Sequence, residues 1–398
     1  MLRVLALAAQ GAVIALILYD LTVSLWGWRQ PTRSLPGRQS RKFRVVIAAH
    51  NEEASIGAVL VDLAAQDHPS ELVRVCVIAD RCEDNTAGVA SSMAEVVERT
   101  EGADGKGAAL GWYLEAYPLE SDETLVVLDA DNRVPPQLLM RLDDELSVER
   151  PAAQAYLDVT NPDGSWLATA SALSYWASNR MVQLARRNLG WSPDLGGTGM
   201  AISATALESA GGFGDSLTED KDLGARLALA GHKVGWLHDV RVRDEKPEGA
   251  GVTVRQRARW VAGKRSVSRR HVLPLLGAAF RQASLALFDQ AIRLIHPGRS
   301  FVALLAAALT VAASLTNSSW ILPWWLWGSA AVAYFLAPMA FLKRDGVPGR
   351  YLIRYPFVVL LAVLWLPVRI MSRATSGWYH TPHEPAPDST LDERPGSP

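Results

Sequence analysis

The stretch TLVVLDADN, residues 124–132, decides the fold. Its opening run is apolar or β-branched without a break, as in a strand buried on both faces. Residues 124–130 therefore read as a strand. FRVVIAA (43–49) and VRVCVIA (73–79) repeat the pattern. Helical stretches at 53–66 and 106–117 separate these runs. The alternation predicts an α/β fold, a mostly parallel sheet flanked by helices. Such sheets bind ligands beyond the carboxyl ends of their strands. The chemistry is therefore expected just after each run.

Polar residues stand at those points. Asp129 and Asp131 leave the strand at 124–130 together. Two carboxylates so spaced can hold a divalent ion and a diphosphate, since Mg²⁺ or Mn²⁺ prefers carboxylate and phosphate oxygen. Taken alone, the pair also fits a solvated turn. Asp80 closes VCVIAD in the same way. After the first strand comes His50-Asn51-Glu52-Glu53, where Asn51 suits a helix cap and the glutamates suit the first turn. Lys106 lies between Gly105 and Gly107, where close backbone approach lets an ammonium meet phosphate. The spacing is not that of a P-loop, and no GxGxxG opens the first helix. Thr218-Glu219-Asp220 precedes the helix DLGARLALAGH, so either Thr218 or Asp220 can cap it. Gln256, Arg259 and Trp260 fall at i, i+3, i+4 on one helix face. Amide, guanidinium and indole together suit a diphosphate and a stacked sugar ring. That helix is also basic (Arg255, Arg257, Lys264, Arg265, Arg269, Arg270), which favours membrane lipids.

The ends of the chain differ from this middle. Hydrophobic residues are 49% of 398, but they concentrate at the two ends. Residues 1–28 read as a transmembrane anchor, since about 25 apolar residues cross a bilayer of roughly 30 Å. Arg29, Arg33, Arg38, Arg41, Lys42 and Arg44 follow without an acid, which predicts a cytoplasmic side. Residues 43–275 form the expected catalytic domain, and 280–296 an amphipathic helix along the membrane surface. A C-terminal transmembrane region spans 300–372. It holds a hairpin, 300–316 and 320–342, turning at Asn317, Ser318 and Ser319. The segment 351–371 reads as interfacial or re-entrant if the tail stays cytoplasmic. The Pro-rich tail, 376–398, is expected to be disordered. A net charge of −1 indicates no nucleic-acid partner. Cys76 and Cys82 form neither a disulfide framework nor a zinc spacing.

The order of HNEE, Asp80, GKG, the DAD pair, TED and QRARW (256–260) resembles the family 2 inverting glycosyltransferases of GT-A fold. The Gln-x-x-Arg-Trp element is similar to the membrane-bound branch, with the synthases of cellulose, hyaluronan and poly-N-acetylglucosamine. The resemblance covers about 43–270. It implies an enzyme of the inner membrane, with its catalytic domain in the cytoplasm. The donor would be a nucleotide sugar, of UDP type, and the acceptor a glycan or lipid. Glu52 and Asp80 would contact the nucleoside, and Lys106 and Asp129 the donor nucleotide or diphosphate. Asp131 would bind Mg²⁺ or Mn²⁺, and Asp220 would be the general base. Glu219, Gln256, Arg259 and Trp260 would hold the diphosphate and acceptor, with GGTGMAI (196–202) lining the acceptor site. AAHNEE lacks the proline that often precedes its histidine, and the membrane region is shorter than in the polymer synthases, which argues against a secretion channel. The alternatives are a polyprenyl-phosphate glycosyltransferase, which usually lacks the QRARW element, and a non-catalytic nucleotide-binding membrane protein.

Overall fold

The computed structural model describes residues 1–375 apart from Leu35, Arg38 and Asn317. The expectations for Arg38, Asn317 and the tail 376–398 lie outside the described residues.

Seven strands form one sheet: β1 (Lys42–Ala49), β2 (Val73–Asp80), β3 (Glu95–Arg99), β4 (Glu123–Leu128), β5 (Ala152–Val159), β6 (Met200–Ser203) and β7 (Val234–Asp244). Their order is β3-β2-β1-β4-β6-β5-β7. Only β6 is antiparallel to its neighbours, while the remaining pairs are parallel. Six carboxyl ends thus share one edge. Asp80, the 129–131 turn and Asp244 all stand there.

The pleat explains the continuous apolar runs. Phe43, Val45 and Ile47 join one core with Ile56, Val59, Leu60, Val126 and Leu128. Val46 points the other way, with Cys76, Ile78, Leu110, Tyr113, Leu125 and Val127. Successive side chains face opposite layers, so a strand covered on both sides must be apolar throughout. Arg44 breaks the rule. It is buried on β1 and ion-paired with Glu123 of β4, and its Nη1 donates to Tyr117 O at 2.8 Å.

The first helix starts later than the sequence suggests, at Ile56 (Ile56–Ala64) rather than 53. Asn51 is not its cap. It sits in the left-handed region at φ 56°, and its Oδ1 accepts the Glu83 N–H at 2.8 Å. Glu53 N–H donates to Asp84 at 3.0 Å, and Glu53 accepts from Asn85 N–H at 3.0 Å. These polar residues lace the loop after β1 to the loop after β2.

The basic helix is one piece, Ala250–Gln282, so position 275 falls inside it. Ala283, at φ 47°, separates it from Leu285–Ile295. Among the described residues three helices are long and apolar enough to cross a membrane: Leu2–Trp28, Arg299–Thr316 and Trp324–Arg344. Residues 357–371 form two short helices, Phe357–Val363 and Trp365–Met371. The long helices pack through Ile17, Val302, Ala306, Trp327 and Tyr334. Gln10 fixes their register, donating to Trp320 O at 2.8 Å and accepting from Leu322 N–H at 2.9 Å. At the opposite end Asp20 pairs with His296 at 3.1 Å and Arg299 at 3.6 Å. Arg186 grips Asp289 through Nε and Nη2, each at 3.0 Å, which ties the catalytic layer to the helix Leu285–Ile295.

Asp62 anchors the turn after β4. Its carboxylate takes Arg133 Nε at 2.7 Å, Arg133 Nη2 at 2.9 Å and Val134 N–H at 3.0 Å. Removing one partner of a buried charged pair strands the other. Asp62→Ala is expected to cost about 2–4 kcal/mol of unfolding free energy, read as a lower denaturant midpoint in detergent. A change below about 0.5 kcal/mol, as for an exposed pair, would contradict this.

Candidate active site

The DAD turn is held from behind by two residues that the motif reading missed. Asp129 N–H donates to both Asn132 Oδ1 and Thr198 Oγ1 at 3.0 Å. Thr198 in turn donates to Asn132 Oδ1. Both side chains are buried. Asn132 directly follows the DAD pair and Thr198 lies in GGTGMAI, so the polar letters were visible without their roles. With the backbone fixed, the Asp129 and Asp131 side chains project from the carboxyl edge.

Lys106 joins three elements. Its Nζ donates to Asp129 Oδ1 at 2.6 Å and to Gly197 O at 3.0 Å, and lies 3.6 Å from Glu219 Oε1. Gly197 sits at φ 86°, and a Cβ there would meet Lys106 Nζ at 3.5 Å and Glu219 Oε1 at 3.7 Å. Burial pulls the Lys106 ammonium down, but Asp129 and Glu219 outweigh it and hold the lysine above its ordinary range. Burial raises Glu219, Lys106 opposes the rise and Asp220 adds to it.

Asp131 is pushed up to about 8, first by burial and then by Asp129 and Asp244, while Lys246 and the Glu245 backbone pull it back. Asp244 is raised by burial, and its Oδ2 takes Lys246 Nζ at 2.5 Å. Sequence reading missed Asp244 and Lys246, because RDEKPEG (243–249) carries no motif. They arrive through the tertiary structure: Arg133, just after the DAD turn, and Arg243, at the end of β7, exchange backbone hydrogen bonds at 2.9 and 3.0 Å.

The TED segment opens the helix Glu219–Leu229, with Thr218 at the cap position. Asp220 is therefore in the first turn and not the cap. A carboxylate there gains from the helix dipole. Lys221 Nζ lies 3.8 Å from it. Arg259 arrives from the helix Ala250–Gln282, facing Glu219, Asp129 and Asp220, with its ordinary value lowered by burial. Its Nε is buried without a hydrogen-bond partner among the described residues. Gln256 and Trp260 are half-buried on the same helix. That helix fits closely against the TED loop at Gly263, where an added Cβ would lie 2.7 Å from Thr218 Cγ2.

Glu52 and Asp80, the residues expected to meet a nucleoside, lie in the loop after β1 and at the end of β2. Glu52 Oε2 accepts from Ser55 Oγ at 2.5 Å. Asp80 is clasped by Arg99 Nη1 at 2.8 Å and by Arg81 Nε and Nη2 at 3.0 Å. His50 Nδ1 bonds Asp80 O at 2.7 Å, so the first two loops meet at that carbonyl.

Around the DAD turn, Asp129, Asp131, Asp244 and Glu219 face Lys106 and Lys246. Carboxylates are in excess beside the groups that would meet a diphosphate. No group of three or more His, Cys, Asp or Glu side chains forms a metal cage among the described residues. The donor set instead suits Mg²⁺ or Mn²⁺ held by one or two carboxylates and completed by substrate phosphate.

The glycosyltransferase like family 2 domain matches residues 40–263. The chain belongs to that family. It is 29% identical over 236 residues to a beta-monoglucosyldiacylglycerol synthase of Synechocystis, covering 55% of this chain and 47% of that one. It is 25% identical over 265 residues to the probable glycosyltransferase YdaM of Bacillus subtilis, covering 64% and 60%. The chain thus spans about half the length of the curated relatives it matches. A mannosyltransferase from Pyrobaculum calidifontis, solved with GDP-Man and Mn²⁺, shares the fold at TM-score 0.57 and 21% identity, over 90% of this chain and 99% of that one.

A divalent ion held by Asp131, as the motif predicts, would have to displace the proton it carries below about 8. The unfolded carboxyl titrates near 3.8, so unfolding releases that proton across the interval between. Metal-free stability therefore falls as pH rises through that interval. Metal affinity rises over its upper part and levels off above about 8. At fixed subsaturating Mn²⁺ the gain in melting temperature should grow from about pH 6 to about pH 8. A gain independent of pH, or one kept in full by Asp131→Asn, would contradict the assignment.

Proposed function

We propose that this chain is a membrane-anchored inverting glycosyltransferase that moves a sugar from a nucleotide-sugar donor, of UDP type, to a glycan or lipid-linked acceptor at the bilayer surface. The observation that carries the proposal is the convergence of Lys106, Asp129, Glu219 and Arg259 at the carboxyl edge, with Asp131 and Asp220 one or two positions away on the same turns. Lys106 and Arg259, with Gln256, hold the donor's diphosphate. Glu52 and Asp80 line the nucleoside end, where Arg81 and Arg99 keep the Asp80 carboxylate oriented. Asp131, with Asp129, holds Mg²⁺ or Mn²⁺, which when bound offsets charge on the departing diphosphate.

Glu219 and Trp260 hold the acceptor. Asp220 accepts the proton of its hydroxyl. The oxygen forms a bond to the anomeric carbon as the bond to the diphosphate breaks, and the diphosphate departs with that electron pair. Lys106 and Arg259 balance the charge left behind. Attack opposite the leaving group inverts the anomeric centre and requires no covalent intermediate.

The membrane reading draws on three helices long and apolar enough to cross a bilayer. Arg3 bonds Ser319 O at 3.1 Å while Arg344 bonds Trp28 O at 3.4 Å, so their ends align in two layers. With residues 1–28 and the helices within 300–372 spanning the inner membrane, 43–275 faces the cytoplasm, where nucleotide sugars are made. The segment 280–296 lies along the surface. A lipid acceptor is favoured by the likeness to the Synechocystis beta-monoglucosyldiacylglycerol synthase.

Asp220→Asn keeps size and helix-terminal polarity but removes the proton acceptor. Transfer should fall by at least about a hundredfold, while donor affinity changes less than about twofold. A stable variant that binds donor and transfers at near wild-type rate would end the assignment.

A further inference from the structure

Further along the helix that carries QRARW, past Trp260, lies an open groove of about 450 Å³ that the transfer reaction does not use. Arg265, Arg269 and Arg270 line one wall, with Ser266 between them and Leu217 and Thr375 opposite. Every charged residue lining it is an arginine. Arg265 Nη2 donates to Ser372 O at 2.6 Å, a neutral partner that leaves its charge uncompensated. Arg270 has a carboxylate only at 3.6 Å, on Asp222. Asp222 is already held more closely, by His271 Nε2 at 2.8 Å and Arg226 Nε at 2.9 Å. Among the described residues Arg269 has no ion-pair partner.

Apolar surface continues from this basic wall along the helix. Leu273 stands one turn beyond Arg269 and Phe280 two turns further, and they are 76% and 80% exposed. Ile370 of the neighbouring short helix is 72% exposed. Guanidinium groups followed by bare aliphatic and aromatic side chains match the order of a phospholipid, phosphate first and acyl chain beyond. We propose that the groove binds the phosphate of an anionic membrane phospholipid, with its chains against Leu273 and Phe280. The proposal rests on the membrane reading above. It gives the site a consequence, because Leu217 in the groove directly precedes Thr218-Glu219-Asp220. A lipid seated there braces the loop that carries the general base.

The sequence offers one competing occupant. Residues 376–398 carry Glu384, Asp388, Asp392 and Glu393 against Arg394, and they follow Thr375 directly. The exposed apolar residues favour the lipid, because an acidic peptide would leave Leu273 and Phe280 bare.

The test uses the full chain reconstituted in nanodiscs of phosphatidylcholine alone and of equal phosphatidylcholine and phosphatidylglycerol. Lipids that remain with the protein after mild detergent extraction are then counted. Wild type should retain phosphatidylglycerol preferentially. Arg269→Gln and Arg270→Gln should each lower that preference by about fivefold, while Arg281→Gln, outside the groove, should leave it unchanged at equal thermal stability. Preference undiminished in the double variant would overturn the site. So would preference that appears only after residues 376–398 are removed, which would give the groove to the tail. Inorganic phosphate bound at the arginines without lipid preference would overturn it as well. A chain that fails to enter discs of phosphatidylcholine alone would instead contradict the membrane reading itself.

Discussion

A single ammonium organises the carboxyl edge of the sheet. Lys106 bonds Asp129 and Gly197 and sits 3.6 Å from Glu219, so it touches the turn after β4, the glycine segment before β6 and the start of the helix Glu219–Leu229. Without it, the carboxylates of Asp129 and Glu219, on two elements, would face one another across a partly buried site, where like charges repel more strongly than in water. The same excess of negative charge raises Asp131. Evolution toward an apolar pocket would relieve that repulsion. Retaining the acids keeps a place where a cation and a diphosphate are attracted together.

The remaining architecture serves to hold this edge still. Asn132 and Thr198 fix the DAD backbone, and Asp62 fixes the residues just after it through Arg133. The helix Ala250–Gln282 brings Arg259 over the site and presses on Thr218 through Gly263. That helix is in turn tied to the bundle of long apolar helices. Lys264 donates to His296 O at 2.8 Å, and His296 pairs with Asp20 of the first long helix. The active site and the bundle are therefore one mechanical unit, joined by polar contacts with fixed geometry.

Much of this was legible in the sequence. The strands after Phe43, Val73 and Thr124 follow from uninterrupted apolar runs, since both faces of the sheet are covered. The spacing of Gln256, Arg259 and Trp260 correctly set them on one helix. What the sequence hid was tertiary. Asp244 and Lys246 enter the site because the end of β7 bridges the segment after the DAD turn, through Arg133 and Arg243. Arg44 reads as part of a basic cluster, yet it is buried because Glu123 meets it across the sheet. Asn51 reads as a cap, but a left-handed backbone and the Glu83 N–H recruit it to join two loops. The catalytic domain expected over 43–275 closes inside one continuous helix, which Pro274 does not break. The chain continues to Gln282 and stops only where Ala283 turns left-handed.

The proposed reaction is a direct displacement at the anomeric carbon, with Asp220 as base and no glycosyl-enzyme stage. The most direct measurement is the anomeric configuration of the first product, read by proton NMR coupling at the newly formed linkage with an α-linked nucleotide sugar as donor. A β-linked product is predicted. An α-linked product, with configuration retained, would contradict the mechanism and the role given to Asp220.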